Sequence, residues 1–322
     1  MKRPVWGRGT PVPRPRRPWH GHYYAMYSDE WGGITTDPAE MQVPVDDHVV
    51  HRGDGVFETL KCRHGGIYCL DEHLDRLFAS AEAIGLRPSH SRAALGGIII
   101  ETVRAGRQRD CLIRVIVSRG PGGFGVSPAE CPQAGLYVMA YHLPPSFMEA
   151  HPGGARAVTV DVPLKGGGLA AIKTCNYLPN VLMKAAALSA GADYPIAYDE
   201  RGFLAEGATE NVGVVTRDRR LRLPRPGRIL QGITMRRVAA LAARRPEAVG
   251  LAAVEEADIP RADVAAAAEV LIFGTTPDVT SVVELDRRPV GEGRPGPIRA
   301  ALQRLLEADQ MAGSDRVTPA CD

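Results

Sequence analysis

The chain has 322 residues, a formal net charge of +2, 44% hydrophobic and 24% charged residues, the composition of a soluble globular protein long enough for two cores. Near-neutral charge with no basic block beyond the N-terminus argues against a nucleic-acid partner. No apolar run approaches the roughly 20 residues of a membrane span, and no apolar stretch follows the basic N-terminus as in a secretory signal.

Six cysteines, Cys62, Cys69, Cys111, Cys131, Cys175 and Cys321, form no C-x-x-C pair. A zinc site is therefore not expected, and a reducing, cytoplasmic setting is.

Residues 1–24 are dominated by proline and arginine and cannot bury a core, so they read as a disordered tail, with Met26 as an alternative start. From Met41 the valines Val43, Val45, Val49 and Val50 suggest short strands, continued by Val56, Thr59 and Leu60. Gly65-Gly66 predicts a hairpin turn with a return strand over residues 67–70. Leu74, Leu77, Phe78, Ala81 and Ile84 recur at helical spacing up to Gly85, with His73 and Arg76 three apart on one flank. A second helix is expected over 91–105, a strand over 111–118, a glycine-rich loop GPGGFGVSP, and a strand over 136–141. Breaker residues place a linker at 143–154 between a domain of 25–142 and one of 155–310.

The second half opens with a strand from Ala157. A helix is expected over 181–190, then a strand end at Glu206 and a strand start at Asn211. Gly232-Ile233-Thr234 opens a helix running to Arg244, a strand spans 269–273, and the last helix spans 298–307. The polar residues 311–322 read as a frayed tail.

Lysine is scarce: Lys2, Lys61, Lys165, Lys173 and Lys184. Only Lys173 lies at a strand-to-helix transition in a mostly uncharged setting, where desolvation lowers an amine's pKa and frees its lone pair for Schiff-base chemistry. Three further features, distant in sequence, suit the same site. Glu206 can meet a cationic ring nitrogen. The helix start at Gly232-Ile233-Thr234 offers free N–H groups and a dipole end to a phosphate, with Arg76 as a charged fork. Gly274-Thr275-Thr276 offers hydroxyls and backbone N–H groups at a strand end. Together these are the parts that pyridoxal phosphate needs.

HRGDGVFETLK, EHLDRLFASAEAIGL, IKTCNYLPNVLMKAAAL, GFLAEGATENVGVV, ILQGITMRRV and FGTTPDVTSVVELD resemble, in order and spacing, the motifs of the class IV, fold-type IV aminotransferases. That group includes branched-chain and D-amino-acid aminotransferases and aminodeoxychorismate lyase. The resemblance implies an α/β (α+β) two-domain fold: a small N-terminal α/β domain and a larger, β-barrel-like C-terminal domain, with pyridoxal 5'-phosphate between them. It implies a homodimer in which one small domain closes the partner's site. It also implies transamination between an amino acid and a 2-oxo acid, branched-chain-like or D-amino-acid-like, with elimination to pyruvate as the alternative and a non-enzymatic cofactor carrier as a third.

Carried over by motif, Lys173 is the Schiff-base lysine and proton carrier, and Glu206 binds the ring nitrogen. Arg76, Ile233, Thr234 and Thr275 hold the phosphate. Tyr177 lies near the ring hydroxyl, Asn211 near the ring edge, and the Thr276 backbone near the substrate carboxylate.

Two departures stand out. His51-Arg52-Gly53 replaces the branched-chain enzymes' H-Y-G. The loop GPGGFGVSP lacks the R-x-H pair of the D-amino-acid enzymes. Arg52 is expected to grip a substrate carboxylate, with Arg114 and Arg119 as competitors, or else to pair with Asp46, Asp47 or Asp54.

Overall fold

The computed structural model describes residues 13–163, 165–311 and 313–321. Most of the Pro/Arg-rich tail, residues 1–12, lies outside them. In chain order the elements are β1 (Tyr23–Ser28), β2 (Gly33–Thr35), α1 (His48–Arg52), β3 (Gly55–Arg63), β4 (Gly66–Tyr68), α2 (Leu70–Ala83), α3 (Arg92–Gly106), β5 (Cys111–Ser118) and β6 (Gly135–Tyr141). Then follow α4 (Phe147–Ala150), β7 (Ala155–Thr159), α5 (Leu178–Ser189), β8 (Tyr194–Ile196), β9 (Asn211–Val215), β10 (Arg220–Pro224), α6 (Ile233–Arg244), β11 (Ala253–Ala257) and α7 (Arg261–Ala266). The chain ends with β12 (Glu269–Gly274), β13 (Asp278–Leu285), β14 (Arg288–Pro289), α8 (Pro297–Asp309) and β15 (Val317–Pro319).

Two sheets result. The first, in the order β15-β4-β3-β5-β6-β1-β2, is antiparallel throughout. One face is sealed by α2 and α3, whose Leu74, Leu77, Leu95 and Ile99 are buried against Leu60 and Ile113. The second, in the order β11-β10-β9-β12-β13-β7-β8, is mixed. Val238 of α6 and Leu302 and Leu306 of α8 cover one side of it with Leu221, Leu271 and Phe273. Val212, Val214, Val270 and Ile272 point to the other side, with Val264 of α7. This alternation along β9 and β12 is what burial on both faces demands. The second sheet is open, with β11 and β8 at its ends, so the barrel-like closure expected from the resemblance is absent among the described residues.

Three local expectations are corrected. Residues 41–46 form no strand, and Val49 and Val50 lie in the short helix α1. The Asp47 side chain caps it by accepting the Val49 N–H, and Gly53, at φ 63°, ends it; a local cap outweighs β-propensity here. Tyr23 and Tyr24, assigned to the tail, open β1, preceded by a 3₁₀ turn over Pro18–His22. The C-terminal residues are not simply frayed, because Val317–Pro319 pair with β4. Gly65 and Gly66 make room for that strand. A Cβ on Gly65 would sit 2.4 Å from the Cys321 carbonyl oxygen, and one on Gly66 would sit 2.3 Å from a Val317 methyl. Backbone pairing needs no apolar sequence, so composition alone did not signal it.

A buried ion pair joins the two sheets. Lys61 Nζ of β3 donates to Asp278 Oδ1 of β13 at 2.5 Å, and both side chains are almost fully enclosed.

Candidate active site

Both sheets contribute to a cavity of about 330 Å³. Ten residues singled out from sequence line it: Arg76, Arg114, Lys173, Tyr177, Glu206, Asn211, Ile233, Thr234, Thr275 and Thr276.

Lys173 is held there by strand-like pairing with β3. Its carbonyl accepts the Phe57 N–H at 3.0 Å, and the Cys175 N–H reaches the Gly55 carbonyl at 2.8 Å. Gly53 permits this seam: a Cβ there would lie 3.0 Å from the Asn176 backbone. The next residues turn into α5, with Pro179 in its first turn, where a missing N–H costs nothing. The amine is therefore fixed at the junction of strand and helix. It donates to the Tyr177 hydroxyl at 3.4 Å and lies 4.7 Å from the Phe57 ring centroid. Burial, reinforced by the charge of Arg76, lowers its pKa to about 8.

Glu206 lies between β8 and β9, bridging to Asn211. Its carboxylate accepts the Leu230 N–H at 3.2 Å, and burial pushes its pKa up to about 7. No cation lies within ion-pair distance of it among the described residues, so it is a buried acid with lone pairs free for a cationic donor. Asn211 donates to the Leu230 carbonyl at 2.8 Å. Its amide oxygen lies where a Cβ on Gly232 would sit, at 1.8 Å, so Gly232 cannot carry a side chain as placed. Gly232 precedes Ile233 and Thr234 with no side-chain cap, leaving the first N–H groups of α6 open to an anion.

Arg76 comes from α2. Two of its nitrogens form a fork on Glu58, at 2.6 and 2.7 Å, and a third donates to the Gln231 carbonyl at 2.9 Å, beside the α6 turn. His73 completes the group, with Nδ1 at 2.7 Å from Glu58 Oε2. Burial alone would raise the Glu58 carboxyl, but Arg76 and then His73 pull it down to about 2. His73 has its own pKa lowered by burial against the pull of Glu58. It is thus a neutral ring donating from Nδ1, and the charge pair is Glu58–Arg76. Sequence reasoning passed over Glu58. The signal was a lone acid amid the apolar strand VFETL, facing a helix with His and Arg three apart.

Phe57 was also missed. Its ring packs edge-on against Tyr177 at 5.0 Å, with the Arg114 guanidinium 4.8 Å from its centroid. Arg114 stands on β5 opposite Thr59 and donates to the Tyr141 hydroxyl at 3.5 Å, while its buried Nε has no partner. Thr275 donates to the Thr59 carbonyl at 3.3 Å.

Arg52, like Arg119, is left out of the cavity. It sits at the end of α1 and donates to the Phe124 carbonyl, with Nε and Nη1 buried and unpartnered among the described residues. It pairs with none of the three aspartates considered. Asp54 binds Arg119, and Asp47 binds Ser118 and Tyr137.

Comparison with known proteins agrees with this geometry. The family model described as amino-transferase class IV matches residues 55–285. A chloroplastic D-amino-acid transaminase of Arabidopsis thaliana is 38% identical over 296 residues, covering 92% of this chain and 79% of that protein. A putative branched-chain-amino-acid aminotransferase of Methanocaldococcus jannaschii is 33% identical over 277 residues, covering 85% and 93%. Among solved structures, a T.th. branched-chain amino acid aminotransferase with pyridoxamine 5'-phosphate superimposes with a TM-score of 0.84 at 27% identity, over 93% of this chain and 99% of that one. The chain belongs to the class IV aminotransferases.

Proposed function

We propose that this protein is a pyridoxal-phosphate-dependent aminotransferase that moves an amino group between an amino acid and a 2-oxo acid. The observation that carries the reading is the convergence on one cavity of a buried amine, an unpaired buried acid, and an open helix start with an arginine beside it. These residues fit the cofactor. The α6 N-terminus with Arg76, Thr234 and Thr275 suits a phosphate. Glu206 suits a ring nitrogen that must stay protonated, Tyr177 a ring hydroxyl, and Asn211 the ring edge. Lys173 suits the aldehyde carbon. The bound cofactor supplies the electron sink that weakens the substrate's Cα–H bond.

The chain's own residues do the rest. Lys173, its pKa lowered to about 8, would hold the cofactor's aldehyde carbon and, as a free amine, would carry a proton to and from the substrate carbon. The acid of Glu206 holds a proton on the ring nitrogen. Arg76, itself fixed by Glu58, anchors the phosphate with Ile233 and Thr234 and so sets the ring's position relative to Lys173. Arg114 and the Thr276 backbone receive substrate carboxylate.

The reading includes a homodimer in which the sheets act as domains of 25–142 and 155–310 around the cofactor. The exposed apolar row Leu178, Val181 and Leu182 on α5, 64%, 59% and 51% exposed, supports a covered face there. Arg52 would then serve a neighbouring copy's site, and its unpartnered nitrogens support that role. The cytoplasmic setting expected from composition belongs to the same proposal. Elimination to pyruvate is not favoured, because the matched relatives are transaminases.

The test is a half-reaction with a panel of amino acids. The cofactor's absorbance should pass to that of its pyridoxamine form, and 2-oxoglutarate or pyruvate should restore it. Pyruvate released without any amino acceptor would overturn transamination.

A further inference from the structure

The cavity holds a second lysine that the mechanism above leaves unused. Lys165 precedes three glycines, Gly166, Gly167 and Gly168, around which a Cβ would meet nothing. The segment is mostly exposed, yet Lys165 itself is partly buried and lines the cavity with Lys173. Its ammonium lies 4.5 Å from the Tyr177 ring centroid, and its hydrogen-bond partner is a neutral one, the Thr174 hydroxyl at 3.4 Å. Burial lowers its pKa, with the charge of Glu206 opposing. Among the described residues it forms no ion pair, and neither does Arg114.

The arrangement has a direction. Arg114 lies against Phe57, Phe57 packs on Tyr177, and Lys165 lies against Tyr177. Lys173 stands beside both rings. Two cations without an ion-pair partner among the described residues thus flank the Phe57–Tyr177 ring pair, with the Lys173 amine beside both rings. Burying an unpaired charge is costly, so a cavity built this way is completed by anionic groups on its ligand.

Resting on the aminotransferase reading, we propose that Lys165 is a substrate-binding residue that takes one carboxylate while Arg114 takes another. The site is thereby selective for dicarboxylic amino acids and 2-oxo acids. A guanidinium and an ammonium on two neighbouring rings match a substrate with two carboxylates better than one with a single carboxylate.

The experiment compares glutarate and butyrate, two unreactive probes that differ by one carboxylate. Each is titrated into the cofactor-loaded enzyme by calorimetry, with borohydride reduction and peptide mapping in parallel. Wild type should bind glutarate more tightly than butyrate. Lys165→Met should weaken glutarate about tenfold or more, the scale of one charge-assisted hydrogen bond, bringing it close to butyrate. Lys165→Arg should restore most of the preference. In all three proteins the reduced adduct should remain on Lys173. A glutarate preference that persists in Lys165→Met, with the Lys173 adduct present, overturns this inference and leaves the aminotransferase reading standing. A wild-type enzyme that yields no reduced adduct overturns both.

Discussion

Lysine is scarce in this chain, and Lys173 is buried as well, which lowers its pKa. Its pKa, lowered to about 8, sets the free amine's appearance well below that of a solvated lysine. Reconstitution of cofactor-free enzyme should therefore speed up as pH rises through about 8 and level off above it, followed by the growth of the bound cofactor's absorbance. Lys173→Ala should leave no borohydride-fixed cofactor and no turnover; an adduct mapped to Lys165 or Lys184 would refute the assignment. Glu206→Gln should fold and retain cofactor but transaminate on the order of a hundredfold slower, the effect of losing one preorganised electrostatic contact. Glu58 adds a third residue-level expectation. Its folded pKa of about 2 lies below the ordinary 4.5, so its ionisation stabilises the fold above pH 4.5 and that contribution fades as pH falls towards 2. The linkage amounts to about 3 kcal/mol. Glu58→Gln should lower the melting temperature at pH 7, and the gap from wild type should narrow on acidification. That Lys173, Glu206 and Arg76 would share one cavity was legible because their residue types and flanking motifs are distinctive. Glu58 was not, because its role exists only once β3 and α2 face each other.

Secondary-structure elements were legible where periodicity ran long. The α2 heptad-like spacing and the Gly232 start of α6 read correctly, and α6 spans Ile233–Arg244 as expected. Where an element is only one turn long, propensity misleads. The valines of α1 favour a strand, but one aspartate cap and one glycine decide otherwise. The start of α6 carries a test of its own. Gly232 has an ordinary φ of −65°, so its requirement is spatial and not conformational. Gly232→Ala would drive a methyl into the Asn211 amide. It should weaken cofactor affinity at least tenfold as the turn at the start of α6 shifts, measured by dialysis against limiting cofactor. Asn211→Ala in the same chain should recover part of the loss if the clash is the cause; purely additive effects would mean that the two residues act separately.

The whole molecule is joined by contacts that no local pattern announces. Lys61 and Asp278 are 217 residues apart and meet in a buried seam between the sheets. Breaking one partner strands the other's charge, at a cost of roughly 3–5 kcal/mol. Lys61→Met should therefore lower the melting temperature by several degrees. Lys61→Met with Asp278→Asn should regain stability, because asparagine tolerates the left-handed φ of 52° found at position 278. A double variant no more stable than Lys61→Met would show that the pair is not the seam's source of strength. The fold class was readable through the motifs that carry the family resemblance, whereas the open second sheet and the returning C-terminal strand depend on long-range pairing. That returning strand bears on the order of events at the ribosome. The first sheet is encoded almost wholly before residue 142, yet the outer edge of β4 finds its neighbour only when Val317–Pro319 emerge. During translation the early sheet carries an open edge, a site where nascent chains can pair wrongly with one another. Its brevity, three residues from Gly66 to Tyr68, limits that hazard until β15 arrives to pair with it.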